Sequence, residues 1–306
     1  MRFFLVMLIT LFAGSVSAFE LITEKVNEQI YALVGEIGPR SAENHALNNT
    51  LGFIVTDKGV VLVSSGATRR GAKLIEQSVA MVTAKPIRWV INIGVQDHHW
   101  LGNDYFAQKG AEIIALAQTV KGQKKHVDDH LLRLAQVTPS ELTEIKPFYA
   151  PNPIAEDRTQ LSLGGIDLEL IWTGGGHFTE DAYLWLPKQK IIFAGDVIFH
   201  DRMLGIQSHT PLLSVQQAFH DIAALKPKMI IPGHGYAGDL SKSRRDSGDY
   251  LDWLVSNVKL ALEDWKEIGA TVDDLAEVPE FRHLKFYDGW HRSNINRSYL
   301  QLEASQ

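Results

Sequence analysis

Short apolar runs bounded by turn residues recur along the 306-residue chain, with helical periodicities in the intervals. Residues 29–34 and 51–55 read as strands, and Thr56, Asp57, Lys58 and Gly59 supply a hairpin turn into a third strand at 60–63. A helix is expected over about 70–82, a strand over 88–93 and a short helix from near His99 through Phe106. A strand at 111–116 and a helix at 120–134 complete this half. Residues 141–159 hold three prolines and read as a connector with edge strands. A second half follows: two strands within 159–172 around Gly164 and Gly165, then strands at 182–186 and 191–194 joined by a turn. A helix at 215–225 and a buried strand at 229–231 come next. Alternating strands and helices argue for an α/β fold, here two packed sheets with helices outside. Leu251, Leu254, Val258, Leu260, Leu262 and Trp265 give 249–267 the stripe of a long amphipathic helix, and a last helix is expected at 293–302. Trp265, Phe281, Phe286, Tyr287 and Trp290 are expected to pack this tail on the core.

The first eighteen residues change the picture of where the chain works. Arg2, an apolar stretch and the small residues ending at Ser17 and Ala18 have the layout of a secretory signal peptide, which implies a periplasmic protein. One domain is then expected over 19–306, with the helices from about 249 packed on it and no membrane span after cleavage. The chain contains no cysteine, which excludes thiolate ligands, iron–sulfur clusters and cysteine nucleophiles. A net charge of −6 with scattered lysines and arginines gives no support to nucleic-acid binding.

The chemistry concentrates in four segments, IGVQDHHWLGN, GGGHFTED, FAGDVIF and IPGHGYAG. Each follows an apolar run or glycines and places His98 and His99, His177, Asp196 or His234 where a strand ends. Imidazole nitrogen and carboxylate oxygen suit Zn²⁺, whose catalytic sites keep one position open for water. Iron would accept the same donors. His126 and His130 are spaced i,i+4 on one helix face but lack an acidic companion, so they read as structural. His200 and Arg202 lie close enough to Asp196 to line a cleft, where a guanidinium would suit an anion.

The chain resembles the metallo-β-lactamase-fold hydrolases, and within them the exported quinoprotein relay system zinc metallohydrolases. The resemblance rests on LGFIVTDKGVVLV at 51–63, Val90-Ile-Asn92, Leu101-Gly-Asn103, GGGHFTED at 174–181, Phe193-Ala-Gly-Asp196 and Pro232-Gly-His-Gly235. It implies a four-layer αβ/βα sandwich with metals at one edge between the sheets. The family pattern His-x-His-x-Asp-His falls on Gly94, Val95, Gln96, Asp97, His98 and His99, so only the last histidine is kept. A register one residue earlier would put Asp97 and His98 in the last two places but leave Ile93 and Val95 where histidines belong. By this resemblance the first metal position, at Gly94, Gln96 and His177, is expected to be lost. The second, at His98, His99 and His234 with Asp196, retains donors for one ion. Ser64 stands where the family often has an acidic residue supporting a ligand, and reads as a further loss.

The leading expectation is hydrolysis of an ester, thioester or lactam-like bond with a single zinc-bound water. His98, His99, His234 and Asp196 would hold the ion, with Asp196 also orienting water and His177, with Gln96 as a hydrogen-bond partner, stabilising developing negative charge. The alternative is a catalytically silent periplasmic binding or accessory protein of the same fold that uses the cleft for a small molecule or a redox partner. The resemblance also implies a redox partner protein in periplasmic oxidation.

Overall fold

The computed structural model describes residues 19–305; the expected signal peptide lies outside them. Two mixed sheets face each other. The first has six strands in chain order: β1 (Ile22–Lys25), β2 (Ile30–Val34), β3 (Thr50–Val55), β4 (Val60–Val63), β5 (Ile87–Ile91) and β6 (Glu112–Ile114). The second has five, β7 (Arg158–Leu163), β8 (Ile166–Trp172), β9 (Ala182–Leu186), β10 (Ile191–Phe199) and β11 (Met229–His234), in the order β11-β10-β9-β8-β7. Strands β4 and β5, β5 and β6, and β10 and β11 are parallel; the other pairs are antiparallel.

Alternation of side chains along buried strands makes the layers. In β4, Val61 and Val63 enter the core between the sheets, while Val60 and Leu62 pack beneath the helices of the first half. In β10, Ile191 and Phe193 face the same central core, whereas Ile192 and Ala194 face the helices of the second half. Helices α1 (Arg69–Val82), α2 (Asn103–Ala107) and α3 (Ala117–Val137) belong to the first half. Helix α4 (Leu212–Ala224), the short α5 (Leu240–Ser243), α6 (Asp249–Glu263), α7 (Ile268–Asp274) and α8 (Tyr287–Glu303) belong to the second. The result is the expected αβ/βα sandwich. Among the described residues no helix is long and apolar enough to cross a membrane.

Three expectations need correction. The strand beginning at Ile191 does not stop before Asp196 but continues to Phe199, because pairing with β11 resumes beyond register shifts on either side of Gly195. Gly195 has φ +52°, a left-handed value that glycine adopts without strain, so the strand bends there instead of ending. The amphipathic helix ends at Glu263 rather than 267, and Trp265 beyond it is 93% exposed instead of packed. The last helix begins at Tyr287, six residues before the expected 293. Phe281 and Tyr287 do join the core and Trp290 packs against it, while Phe286 stacks on Trp290 at 5.1 Å and the pair lines a cleft.

Candidate metal centre and cleft

Beyond β5 the chain turns tightly, with a 3-10 turn at Asp97–His99. The main chain locks this turn against the end of β4: Gly66 N–H donates to the His98 carbonyl at 2.9 Å and Ser65 N–H to that of His99 at 3.1 Å. Asn92 adds a side-chain bond to the His99 carbonyl at 3.0 Å and pairs amide to amide with Asn103. The imidazoles of His98 and His99 are therefore delivered to Asp196 from a loop with little freedom. His98 Nε2 lies 3.2 Å and His99 Nε2 3.4 Å from Asp196 Oδ2. His234, the last residue of β11, brings its Nε2 to 3.6 Å from Asp196 Oδ1.

These separations suit an ion: zinc–ligand bonds of about 2.05 Å in a tetrahedron give ligand–ligand edges of about 3.3 Å. His98, His99 and Asp196 place one donor atom each within 4.8 Å of one another, and this is the group among the described residues that could hold a metal. His234 stands at its rim, facing the cleft. His98 Nε2, His99 Nε2 and both Asp196 oxygens are buried without a hydrogen-bond partner. Buried polar atoms are ordinarily paired, so four orphans converging on one point match the donor set of a cation. Burial opposes the charge of Asp196, but the neighbouring His98 and His99 outweigh it and hold the carboxyl well below its usual range.

The outer ring nitrogens are fixed as well. His234 Nδ1 donates to the Asn48 carbonyl at 2.7 Å, which leaves its Nε2 lone pair free. His99 Nδ1 meets the Ser64 hydroxyl at 2.7 Å. Ser64 was expected to be a loss, yet its hydroxyl braces the ring from behind. Its backbone sits at φ +69°, a strain of about 1 kcal/mol for a residue with a Cβ, held by a bond from its N–H to the Ile91 carbonyl. Asp97 is not turned to the centre. Arg40 grips both of its oxygens at 2.6 and 2.5 Å, and although burial pushes its pKa up, the guanidinium keeps it far below normal. That disposes of the earlier register for the motif, in which Asp97 would be a ligand.

Gly94 and Gln96 leave little of the first metal position. A Cβ on Gly94 would lie 2.2 Å from the His99 ring, so that ring occupies the space a side chain at 94 would need. His177, in the loop between β8 and β9, is 3.3 Å from His209 Nε2 through its Nε2 and 3.3 Å from Thr210 Oγ1 through its Nδ1, not bonded to Gln96. Asp181 ties this loop to the metal loop by accepting from Val95 N–H and Phe178 N–H, both at 2.8 Å. Burial, with the Asp196 charge added, pushes Asp181 up to about 7.

Gln96, His177 and His234 open onto a cleft of about 470 Å³, which Arg40, Arg133, Arg202, Phe199, Phe286 and Trp290 also line. Arg202 is 96% buried, stacked 5.0 Å from both the Phe286 and Trp290 rings, with its Nε unpaired. No carboxylate is paired with it among the described residues, and burial lowers its pKa to about 10.

The profile of the Metallo-beta-lactamase superfamily matches residues 47–234, which is more than half of the chain and contains every residue of the candidate centre. The chain belongs to this superfamily. It is similar to the type 2 metallo-beta-lactamase of Bacteroides fragilis, with 24% identity over 150 residues, 46% of this chain and 52% of the relative. A second relative, the type 2 metallo-beta-lactamase of Bacillus cereus, is 24% identical over 193 residues, 60% of this chain and 66% of its own length. The chain thus spans about half to two thirds of these curated relatives. Among solved structures, a metallo-beta-lactamase from Pontibacter korlensis superposes with TM-score 0.60 at 19% identity, covering 76% of this chain and 99% of that one. DIM-1 metallo-beta-lactamase gives 0.57 at 18% identity, with 76% and 98% covered. These likenesses establish the fold. Members of the superfamily typically hold zinc, and the His98, His99 and Asp196 cluster is where this member could hold a metal.

Sequence reasoning missed Arg40, which approaches the metal loop from 57 positions away, and His209, in a loop without periodicity. The signal for Asp181 was present in the GGGHFTED motif but was read as family resemblance alone.

Proposed function

We propose that the protein is a hydrolase working with a single zinc ion on an ester, thioester or lactam-like bond of an anionic small molecule. The observation that carries this is the convergence of four unpaired buried donors, from His98, His99 and Asp196, beside His234 at the mouth of the cleft. A bound zinc ion supplies Lewis acidity and a nucleophile at neutral pH. The chain's own residues do the rest. Arg202, buried and without a counter-charge, binds the anionic group of the substrate, with Arg133 available at the outer wall. Phe199, Phe286 and Trp290 cover the apolar part and exclude water. His177, its ring set by Thr210 and His209, faces the cleft and polarises the bond under attack.

The finer family placement belongs to the same proposal: membership of the exported quinoprotein relay group, a periplasmic location and a redox partner protein there. It is supported by the motifs at 174–181 and 232–235 and by the signal-like first eighteen residues.

The test is metal content by mass spectrometry on protein purified without a metal-affinity tag, followed by chromogenic esters, thioesters and lactams with and without a carboxylate. One zinc per chain, with turnover abolished by a chelator and restored by Zn²⁺, is the expected result. A chain that takes up no metal from Zn²⁺ solution would overturn the proposal; iron in place of zinc would correct the ion.

A further inference from the structure

His98 differs from the other two histidines of the centre in what stands behind it. Its Nδ1 is 2.9 Å from a terminal nitrogen of Arg40. A guanidinium has only donors to offer, so this ring nitrogen must accept, and in a neutral imidazole the proton then sits on Nε2. That nitrogen is the one that faces Asp196 Oδ2, at 3.2 Å. His234 differs in having an acceptor there: its Nδ1 also lies 3.2 Å from an Arg202 nitrogen, but the Asn48 carbonyl is nearer, at 2.7 Å, and takes the Nδ1 proton, which leaves the Nε2 lone pair available. Behind His99 stands a hydroxyl, which can accept and so permits the same tautomer.

The arrangement around Arg40 is rigid. Both of its terminal nitrogens bond Asp97, and one of them keeps a hydrogen for His98. Without this fork, Asp97 Oδ1, only 3.8 Å from His98 Nδ1, would accept the ring proton. A carboxylate behind the ring is the usual partner of a histidine that binds metal.

We infer that Arg40 is a positioning residue that holds His98 as a proton donor and so out of the ligand set, leaving His99, His234 and Asp196 to bind the ion. This rests on the zinc reading above and narrows its donor set, taking His98 Nε2 out of the four unpaired atoms and leaving His99 Nε2 and the Asp196 oxygens beside His234. Four protein ligands would fill a tetrahedron, as in structural sites; three leave the open position that a catalytic site requires. His98 then turns an N–H, rather than a lone pair, toward Asp196 Oδ2 at 3.2 Å.

Two measurements on the full chain separate this inference from the zinc reading itself. Long-range ¹H–¹⁵N NMR of metal-free protein reads the tautomer of each ring. Expected is a proton on Nε2 of His98 and on Nδ1 of His234, with the His98 proton moving to Nδ1 in Arg40→Lys, since a single ammonium cannot serve Asp97 and His98 as the fork does. A His98 proton on Nδ1 in the wild type, or one that stays on Nε2 in Arg40→Lys, overturns the role of Arg40. Zinc affinity by chelator competition is expected to stay within about threefold in His98→Gln and to fall at least a hundredfold in His99→Ala. Equal losses in the two variants overturn the three-ligand set. If the wild type binds no zinc, the proposed function falls, and the tautomer measurement still decides the role of Arg40.

Discussion

Replacing Gly94 by alanine tests whether the metal loop is packed as tightly as its contacts imply. The new Cβ would stand 2.2 Å from His99 Cδ2 and 2.7 Å from its Cγ and Nε2. Carbon pairs are comfortable at about 3.5–4.0 Å, so the ring must retreat by more than about 1 Å. It has nowhere to go, because it is 1% exposed and the Ser64 hydroxyl stands 2.7 Å behind its Nδ1. Forcing a methyl group into such a site costs about 1–3 kcal/mol, and losing the Ser64 bond adds about 1 kcal/mol. Together the destabilisation is about 2–4 kcal/mol, read as a lowered midpoint in urea with chelator present. Zinc affinity should also fall, by at least about tenfold, since a ring displaced from its brace no longer aims its nitrogen at Asp196. Gly94→His, which restores the family residue in name, carries the same Cβ and should erode the single site without creating a second. A Gly94→Ala protein within about 0.5 kcal/mol of wild type and unchanged in zinc affinity would refute the reasoning.

Acid should destabilise the fold well before the carboxylates titrate. Burial lowers His130 and His200 to about 4, so between pH 6.5 and 4 the unfolded chain binds protons that the native chain refuses. Each histidine's contribution is complete above that window and falls by about 1.4 kcal/mol per pH unit within it, while Asp181, pushed up to about 7 in the fold, offsets one of them as it protonates; flat urea midpoints from pH 7.5 to 5 would contradict this. Asn103→Leu should cost about 2–4 kcal/mol, because it strands the Asn92 amide and the Phe148 carbonyl in the interior, and a thermal scan showing less than 0.5 kcal/mol would count against the role of that pair. Arg202→Met should raise KM at least tenfold for substrates carrying a carboxylate and less than threefold for neutral ones. Equal effects on both would mean that Arg202 only packs.

The fold was legible because its strands obey a period of two and its helices a period of 3.6 with turn residues between them. Positions such as Val60 to Val63, apolar on both faces, declare a buried strand whatever surrounds them. Asp196 was harder. A glycine before it looks like the end of a strand, and only the pairing of β10 with β11 beyond the bend at Gly195 carries the strand through it. Ser64 was misread because the pattern compared residue types, whereas the ring of His99 needs only a hydrogen-bonding atom at the right place. Arg40 had no local signal at all. It lies in an aperiodic stretch, and what matters about it is a partner 57 residues away.

The electrostatics of the site follow from that distant contact. Arg40 and Asp97 neutralise each other in a fork, which leaves Asp196 as the carboxylate facing the imidazoles. A cation held there meets one full negative charge and neutral nitrogens, so it keeps more of its own positive charge for a substrate than it would among several carboxylates. The other wall carries Arg202 with no acid to match it. Under the proposed function, an anionic substrate would be drawn from both sides, by Arg202 and by the ion. The bond to be cut would then lie between those two anchors, beside His177, in the cleft of about 470 Å³. That volume admits a small molecule with one charged end and an apolar body against Phe286 and Trp290. On that reading, the separation between charge and scissile bond is the property on which selection should turn.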